Sequence, residues 1–232
     1  MQNADLSAIA GRLAEVRQRI DAAVARAGRS PGSTRLVAVS KEKPAEAIRA
    51  AFAAGQRDFG ENYAQELVEK AAVLEDLAGI RWHAIGRIQR NKAKYIARVA
   101  SVVHAVDRAD LATELGKRAA ALGRTLEVLV EVSIAGEETK GGCAPAELAG
   151  VLDAIAATPS LKAAGLMTMA PFFDDPELSR PVFAALRELR DKHGGASRLP
   201  ELSMGMSHDF EVAIAEGATL VRVGTAIFGA RT

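Results

Sequence analysis

Arg35-Leu36-Val37-Ala38-Val39-Ser40-Lys41-Glu42-Lys43-Pro44 decides the fold. Leu36 to Val39 are apolar without interruption. A strand with one wet face alternates, whereas an unbroken apolar run suits a strand covered on both faces, as in a parallel sheet flanked by helices. The run stops at Ser40-Lys41, and Pro44 suits the first position of a following helix. Residues 44–54 then carry helical periodicity.

The same unit recurs along the chain. Short apolar, β-prone runs lie near 35–39, 57–60, 81–85, 101–106, 126–133, 162–166, 200–204 and 219–223. Helical patterns lie between them, as at 44–54, 63–77, 108–122, 145–157, 177–193 and 208–216. Eight strands alternating with helices predict parallel βαβ units, and eight units favour a closed barrel over an open doubly wound sheet. Residues 5–28 read as a further amphipathic helix, with Ile9, Leu13, Val16, Ile20 and Val24 on one face, Asp5 or Ser7 as cap and Gly28 near its stop. The fold class is therefore α/β: one (β/α)8 TIM barrel domain over residues 1–232, with residues 1–30 as an extra N-terminal helix. A barrel of this type takes about 250 residues, which leaves little of 232 over.

Composition narrows the function. The net charge of +1 gives no bulk attraction to nucleic acid or acidic membranes. Arg87, Arg90, Lys92, Lys94 and Arg98 have no interleaved aromatic platform and read as a solvated helix face. Cys143 is the only cysteine, which excludes a disulfide framework, and it reads as a loop residue. His83, His104, His193 and His208 lack metal-ligand spacing, so no metal site is expected. Met1 to Leu6 show neither a basic start nor a long apolar stretch, and no apolar run spans a bilayer. The expectation is a cytoplasmic protein without membrane or nucleic-acid partners.

Active sites of such barrels sit at the C-terminal ends of the strands. The unusual polar residues fall there in every unit: Ser40 and Lys41, Glu61 and Asn62, His83 and Gly86, Asp107, Ser133, Met167 and Thr168, Ser203 to Ser207, then Arg222, Gly224 and Thr225. A lysine beside apolar walls loses its proton more readily and can form an imine with an aldehyde. Lys43, next to the helix start, reads as solvent-facing. The last two loops, Leu202-Ser203-Met204-Gly205-Met206-Ser207 and Val221-Arg222-Val223-Gly224-Thr225-Ala226, offer glycines and hydroxyls where barrels bind phosphate. Ser207 also suits the cap of a helix beginning near His208. Arg222 stands inside an apolar strand and is expected to point into the mouth.

In combination these residues resemble a known family. Ala38-Val39-Ser40-Lys41, Phe59-Gly60-Glu61-Asn62-Tyr63-Ala64-Gln65-Glu66, Trp82-His83-Ala84-Ile85-Gly86, Gly165-Leu166-Met167, Leu202 to Ser207 and Val221 to Arg231 are similar, in order, to segments of the pyridoxal 5′-phosphate (PLP) homeostasis proteins. Their barrel is like the N-terminal domain of alanine racemase, a fold-type III PLP fold. The resemblance implies one PLP-binding domain with PLP as a Schiff base on Lys41. It implies phosphate contacts from Ser207, Gly224 and Thr225, with Arg222 at the pyridine nitrogen and Asn62 beside the cofactor. His83 and Met167 are candidates for the pocket wall. The chain departs from the family pattern at Gly86-Arg87-Ile88-Gln89-Arg90-Asn91-Lys92, at Ser133-Ile134-Ala135 and at Lys140-Gly141-Gly142.

The implied role is a cofactor holder. Arginine is always charged and cannot accept the pyridine proton, so Arg222 leaves the ring a weak electron sink. Racemisation also needs an acid and a base on opposite faces, and neither Tyr63 nor Tyr95 is a candidate for the second. The resemblance thus implies a carrier or buffer that passes PLP to apo-enzymes, with no catalytic residue of its own. The alternatives are a small PLP-dependent racemase or decarboxylase, a cofactor-free aldolase or isomerase acting on a sugar phosphate through Lys41, and an RNA-binding module.

Overall fold

A computed structural model describes residues 3–136 and 141–229. Eight parallel strands close in sequence order: β1 (Arg35–Val39), β2 (Asp58–Glu61), β3 (Arg81–Ala84), β4 (Val102–Val106), β5 (Leu126–Glu131), β6 (Leu161–Met167), β7 (Glu201–Ser203) and β8 (Leu220–Val223). The first pairs with the last, in the register Arg35↔Leu220 to Ala38↔Val223. The expected (β/α)8 barrel is the observed one.

The helices are α1 (Asn3–Arg26), α2 (Ala45–Ala53), α3 (Ala64–Val73), α4 (Ala93–Val99), α5 (Ala109–Ala120), α6 (Leu148–Ala156), α7 (Arg180–Lys192), α8 (Gly195–Arg198), α9 (Phe210–Ala215) and α10 (Thr225–Phe228). Burial follows the sequence pattern. In α1 the residues Ile9, Leu13, Val16, Ile20 and Val24 are buried, and the helix packs on α2, α9 and α10. Arg29 ties the following turn to the barrel by donating to the carbonyls of Ile214 and Ala218. Helix α1 extends back to Asn3, so Ser7 lies within it rather than at its cap. The side chain of Asp5 lies outside the described residues, as do Lys140, Ala230 and Arg231.

Two apolar layers result. The larger lies between strands and helices and takes in Phe59, Leu111, Leu126, Phe183 and Phe210. The smaller fills the barrel interior with Val37, Val102, Ala105, Leu129, Ala164, Met167 and Leu220. The N-terminal end of the barrel is closed by charge pairs, Arg35 with Glu201 and Arg81 with Glu127 and Asp58. Polar residues are thereby segregated to the two barrel ends, except for one line of side chains through the middle.

No helix among the described residues is long and apolar enough to cross a membrane. Among the same residues no cluster of histidine, cysteine or carboxylate side chains is suited to a metal ion. Cys143 is buried, and its backbone pairs with Val132. Burial pushes its thiol up to about 12, so it is a poor nucleophile at neutral pH.

Candidate cofactor site

Lys41 lies in the turn between β1 and α2, at the C-terminal rim. Pro44 is the cap position of α2, one residue earlier than expected. The next residue, Glu42, has φ of +60°, an uncommon value for a residue with a side chain. That turn is held from below. Ser40 is fully buried and donates to Glu61 Oε1 at 2.6 Å. Lys70 of α3 donates to the carbonyl of Ser40 at 2.6 Å, to Glu61 Oε1 at 2.8 Å and to Glu66 Oε1 at 2.6 Å. Glu66 Oε1 in turn accepts from the backbone N–H of Glu42 at 2.6 Å. The residues on either side of Lys41 are thus anchored to one buried cluster. Glu61 Oε2 is buried without a partner, and burial pushes the Glu61 carboxyl up to about 6 despite Lys70.

Across the barrel closure lies a second polar group. Gly224 follows β8 and approaches β1 closely: a Cβ there would lie 3.1 Å from the carbonyl oxygen of Val39. Thr225 Oγ1 donates to Ser207 Oγ at 3.1 Å, joining the loops after β7 and β8. Helix α9 begins at Phe210 rather than near His208, and Asp209 accepts from the backbone N–H of Met206 at 2.6 Å. Ser207 is thereby released from the expected capping role and turned toward Thr225. Gly205 holds this loop at φ +90°, where an added Cβ would lie 2.6 Å from Ala213 Cβ and 2.8 Å from Phe210 Cα. Gly205→Ala is expected to cost about 1–3 kcal/mol, through the disfavoured φ and the clash together. Urea unfolding with the Gly11→Ala control, which meets open space, checks this.

Arg222 completes the rim from within. It is 5% exposed, and donates to Ser203 Oγ at 2.6 Å and to the carbonyl of Thr168 at 3.0 Å. Burial lowers its pKa to about 10, against the pull of Glu131 and Asp209, so it stays charged at neutral pH. Glu131, at the end of β5, is 3% exposed, and burial pushes it up to about 7.

Of the eight residues expected at the site, Lys41, Asn62, Ser207, Arg222, Gly224 and Thr225 stand at the C-terminal rim. His83 and Met167 are fully buried inside the barrel beneath it. A cavity of about 740 Å3 opens beside the rim over the ends of β2 to β4, lined by Asn62, Tyr63, Gly86, Arg87, Lys92 and Arg108 among others. Sequence reading did not single out Lys70 or Glu131. The signal for Glu131 was available, a carboxylate closing an apolar strand. Lys70 is indistinguishable in sequence from a surface lysine of an amphipathic helix.

A lysine-bearing turn anchored on a buried polar cluster, a bonded pair of hydroxyls past the neighbouring strand and an arginine in the mouth mark the C-terminal rim of a (β/α)8 barrel of the alanine racemase N-terminal type. The family model described as alanine racemase, N-terminal domain, matches residues 11–232. A protein of Aquifex aeolicus named pyridoxal phosphate homeostasis protein is 46% identical over 222 residues, covering 95% of this chain and 97% of the other. One of the same name from Pseudomonas aeruginosa is 47% identical over 227 residues, covering 97% of each. The structure of PipY from Synechococcus elongatus with PLP bound superposes with a TM-score of 0.82 at 40% identity, covering 95% of this chain and 100% of that one. The chain belongs to the pyridoxal phosphate homeostasis protein family.

Proposed function

We propose that this protein holds PLP on Lys41 and acts in the cytoplasm as a carrier or buffer of the cofactor, without turning over a substrate. The observation that carries the reading is the pairing of β1 with β8, after which the turn bearing Lys41 and the loop bearing Thr225, bonded to Ser207, leave the same end of two adjacent strands. The residues present fit the group. Lys41 supplies an amine, Ser207, Thr225 and the N–H groups around Gly224 supply donors for a phosphate, and Arg222 supplies a cation for the ring nitrogen.

When bound, PLP supplies an aldehyde that an amine captures reversibly and a ring able to accept electrons. The protein's residues favour the first property. Arg222 is charged and can only donate, so it leaves the ring nitrogen without a proton. Tyr63 is 57% exposed at the start of α3, and Tyr95 lies against Lys92 and Lys94 on the outer side of α4. These surroundings support a reading in which neither tyrosine acts as a general acid or base opposite Lys41. Similar proteins carry the name of a homeostasis protein rather than of an enzyme, which supports the same reading. Apo forms of PLP enzymes are the recipients such a carrier serves.

The test mixes purified protein with PLP and records the visible spectrum beside Lys41→Ala. The expected result is a yellow band that borohydride bleaches, with the added mass on Lys41 and no band in the variant. No band in the wild type removes PLP and leaves the sugar-phosphate enzyme as the better reading. Loaded protein is then incubated with single L-amino acids. Conversion to the D-form or to an amine, dependent on Lys41, overturns the carrier role.

A further inference from the structure

One line of polar side chains crosses the apolar interior of the barrel. It starts at Asp58, the first residue of β2, on the charged N-terminal end. Asp58 Oδ1 lies 2.8 Å from His83 Nε2. His83 Nδ1 lies 2.8 Å from His104 Nε2, and His104 Nδ1 lies 2.8 Å from Ser203 Oγ. Ser203 Oγ accepts from Arg222 at 2.6 Å, and Arg222 stands at the opposite rim. His83, His104 and Ser203 are 0% exposed.

The proton positions follow from chemistry. Arg222 can only donate, and an ionised Asp58 can only accept. Burial lowers both histidines, His104 well below its usual value, so both rings are neutral near pH 7. A neutral imidazole has one donor and one acceptor nitrogen. With an ionised Asp58, His83 donates through Nε2 and accepts at Nδ1. His104 must then donate through Nε2 and accept at Nδ1 from the Ser203 hydroxyl. Ser203 is left with its oxygen facing Arg222. Every bond points the same way, from the cation at the rim to the anion at the far end. Besides Asp58 and Arg222, the charged groups acting on this line are Arg35, Arg81, Glu131 and Asp209.

A core that merely needed filling would place apolar residues here, as Val37, Leu129 and Leu220 do beside it. We infer that Asp58, His83, His104 and Ser203 are positioning residues, a one-way hydrogen-bonded chain that fixes the Arg222 guanidinium as a charged donor at the ring nitrogen of the cofactor. The chain links Arg222 through hydrogen bonds to an anion on the far side of the barrel, in addition to the Glu131 and Asp209 carboxylates that act on it from the rim side. The inference rests on the proposed PLP function for its purpose, but not for its geometry.

The first measurement therefore uses the protein without cofactor. Nitrogen-15 NMR of labelled histidine is expected to show His83 and His104 both neutral and protonated at Nε2 at pH 7. An Nδ1-protonated ring or an imidazolium at either position overturns the chain. The second measurement follows the loaded protein. Ser203→Ala removes one acceptor of Arg222, leaving the Thr168 carbonyl, and is expected to weaken PLP retention about tenfold, the worth of one hydrogen bond to a charged group. It is also expected to move the pyridine nitrogen-15 resonance of labelled PLP, which Ser203→Thr restores. Unchanged retention and resonance in folded Ser203→Ala overturn the positioning role. If Ser203→Ala does not fold, the wild-type tautomers decide. If PLP itself does not bind, the functional reading fails while the tautomers still test the chain.

Discussion

Lys70→Met is expected to destabilise the protein by about 3–5 kcal/mol at neutral pH, the cost of stripping the cation from a buried ion pair. Lys70 is 8% exposed and Glu61 1%, so neither charge can turn to water when its partner is removed. Methionine fills a similar volume but cannot donate to the Ser40 carbonyl, Glu61 or Glu66. Glu61 is then left with the Ser40 hydroxyl as its remaining partner for Oε1, and its Oε2 is already unpartnered. The penalty belongs to the ionised carboxylate; Lys70 lowers the Glu61 carboxyl to the about 6 of the intact pair, so without Lys70 it takes up its proton at a higher pH than that, and the penalty shrinks as the pH falls. The double variant Glu61→Gln with Lys70→Met removes both charges and is expected to recover most of the loss. Urea unfolding of the two single variants and the double variant at pH 5 and pH 7.5 measures this. A loss under about 1 kcal/mol for Lys70→Met at pH 7.5 contradicts it.

Glu131→Gln is expected to act in the opposite direction and raise stability at neutral pH by about 3 kcal/mol. Burial lifts the Glu131 carboxyl from 4.5 to about 7, with Asp107 adding to the lift and Arg222 and Arg87 opposing it. A raised carboxyl binds its proton more tightly in the folded than in the unfolded chain. Its contribution is therefore greatest below its unfolded value of 4.5 and is lost as the pH climbs to about 7. Glutamine matches the protonated form in shape and never ionises, so it escapes the loss. The buried histidines work in the contrary sense below their usual value, since the unfolded chain protonates them first. The difference between wild type and Glu131→Gln, followed from pH 4.5 to 8, isolates the carboxylate. A difference that does not grow with pH across this window defeats the expectation.

The strand runs and their polar ends were legible because period and placement are local properties. Lys41, Arg222 and Thr225 each follow or end an apolar run, and barrel geometry gathers such ends at one rim. Asn62 and Gly224 were found in the same way. The start of α9 was misjudged because Ser207 and Asp209 both suit a cap, and Asp209 bonds the Met206 N–H while Ser207 meets Thr225. The line from Asp58 to Ser203 was out of reach. Its members come from β2, β3, β4 and β7, and their contacts exist only once the barrel has closed. In sequence, His104 is a polar residue in the middle of Val102-Val103-His104-Ala105-Val106, with nothing nearby to say what it touches.

The pairing of β1 with β8 has a consequence for loading. Lys41 lies just past one of these strands and Gly224 and Thr225 just past the other, so a ligand held by both bridges the seam where the ring of strands is closed. Such a ligand is a latch: it adds to folding stability whatever free energy its binding provides. Conversely, a seam that loosens lets the phosphate loops and the lysine part.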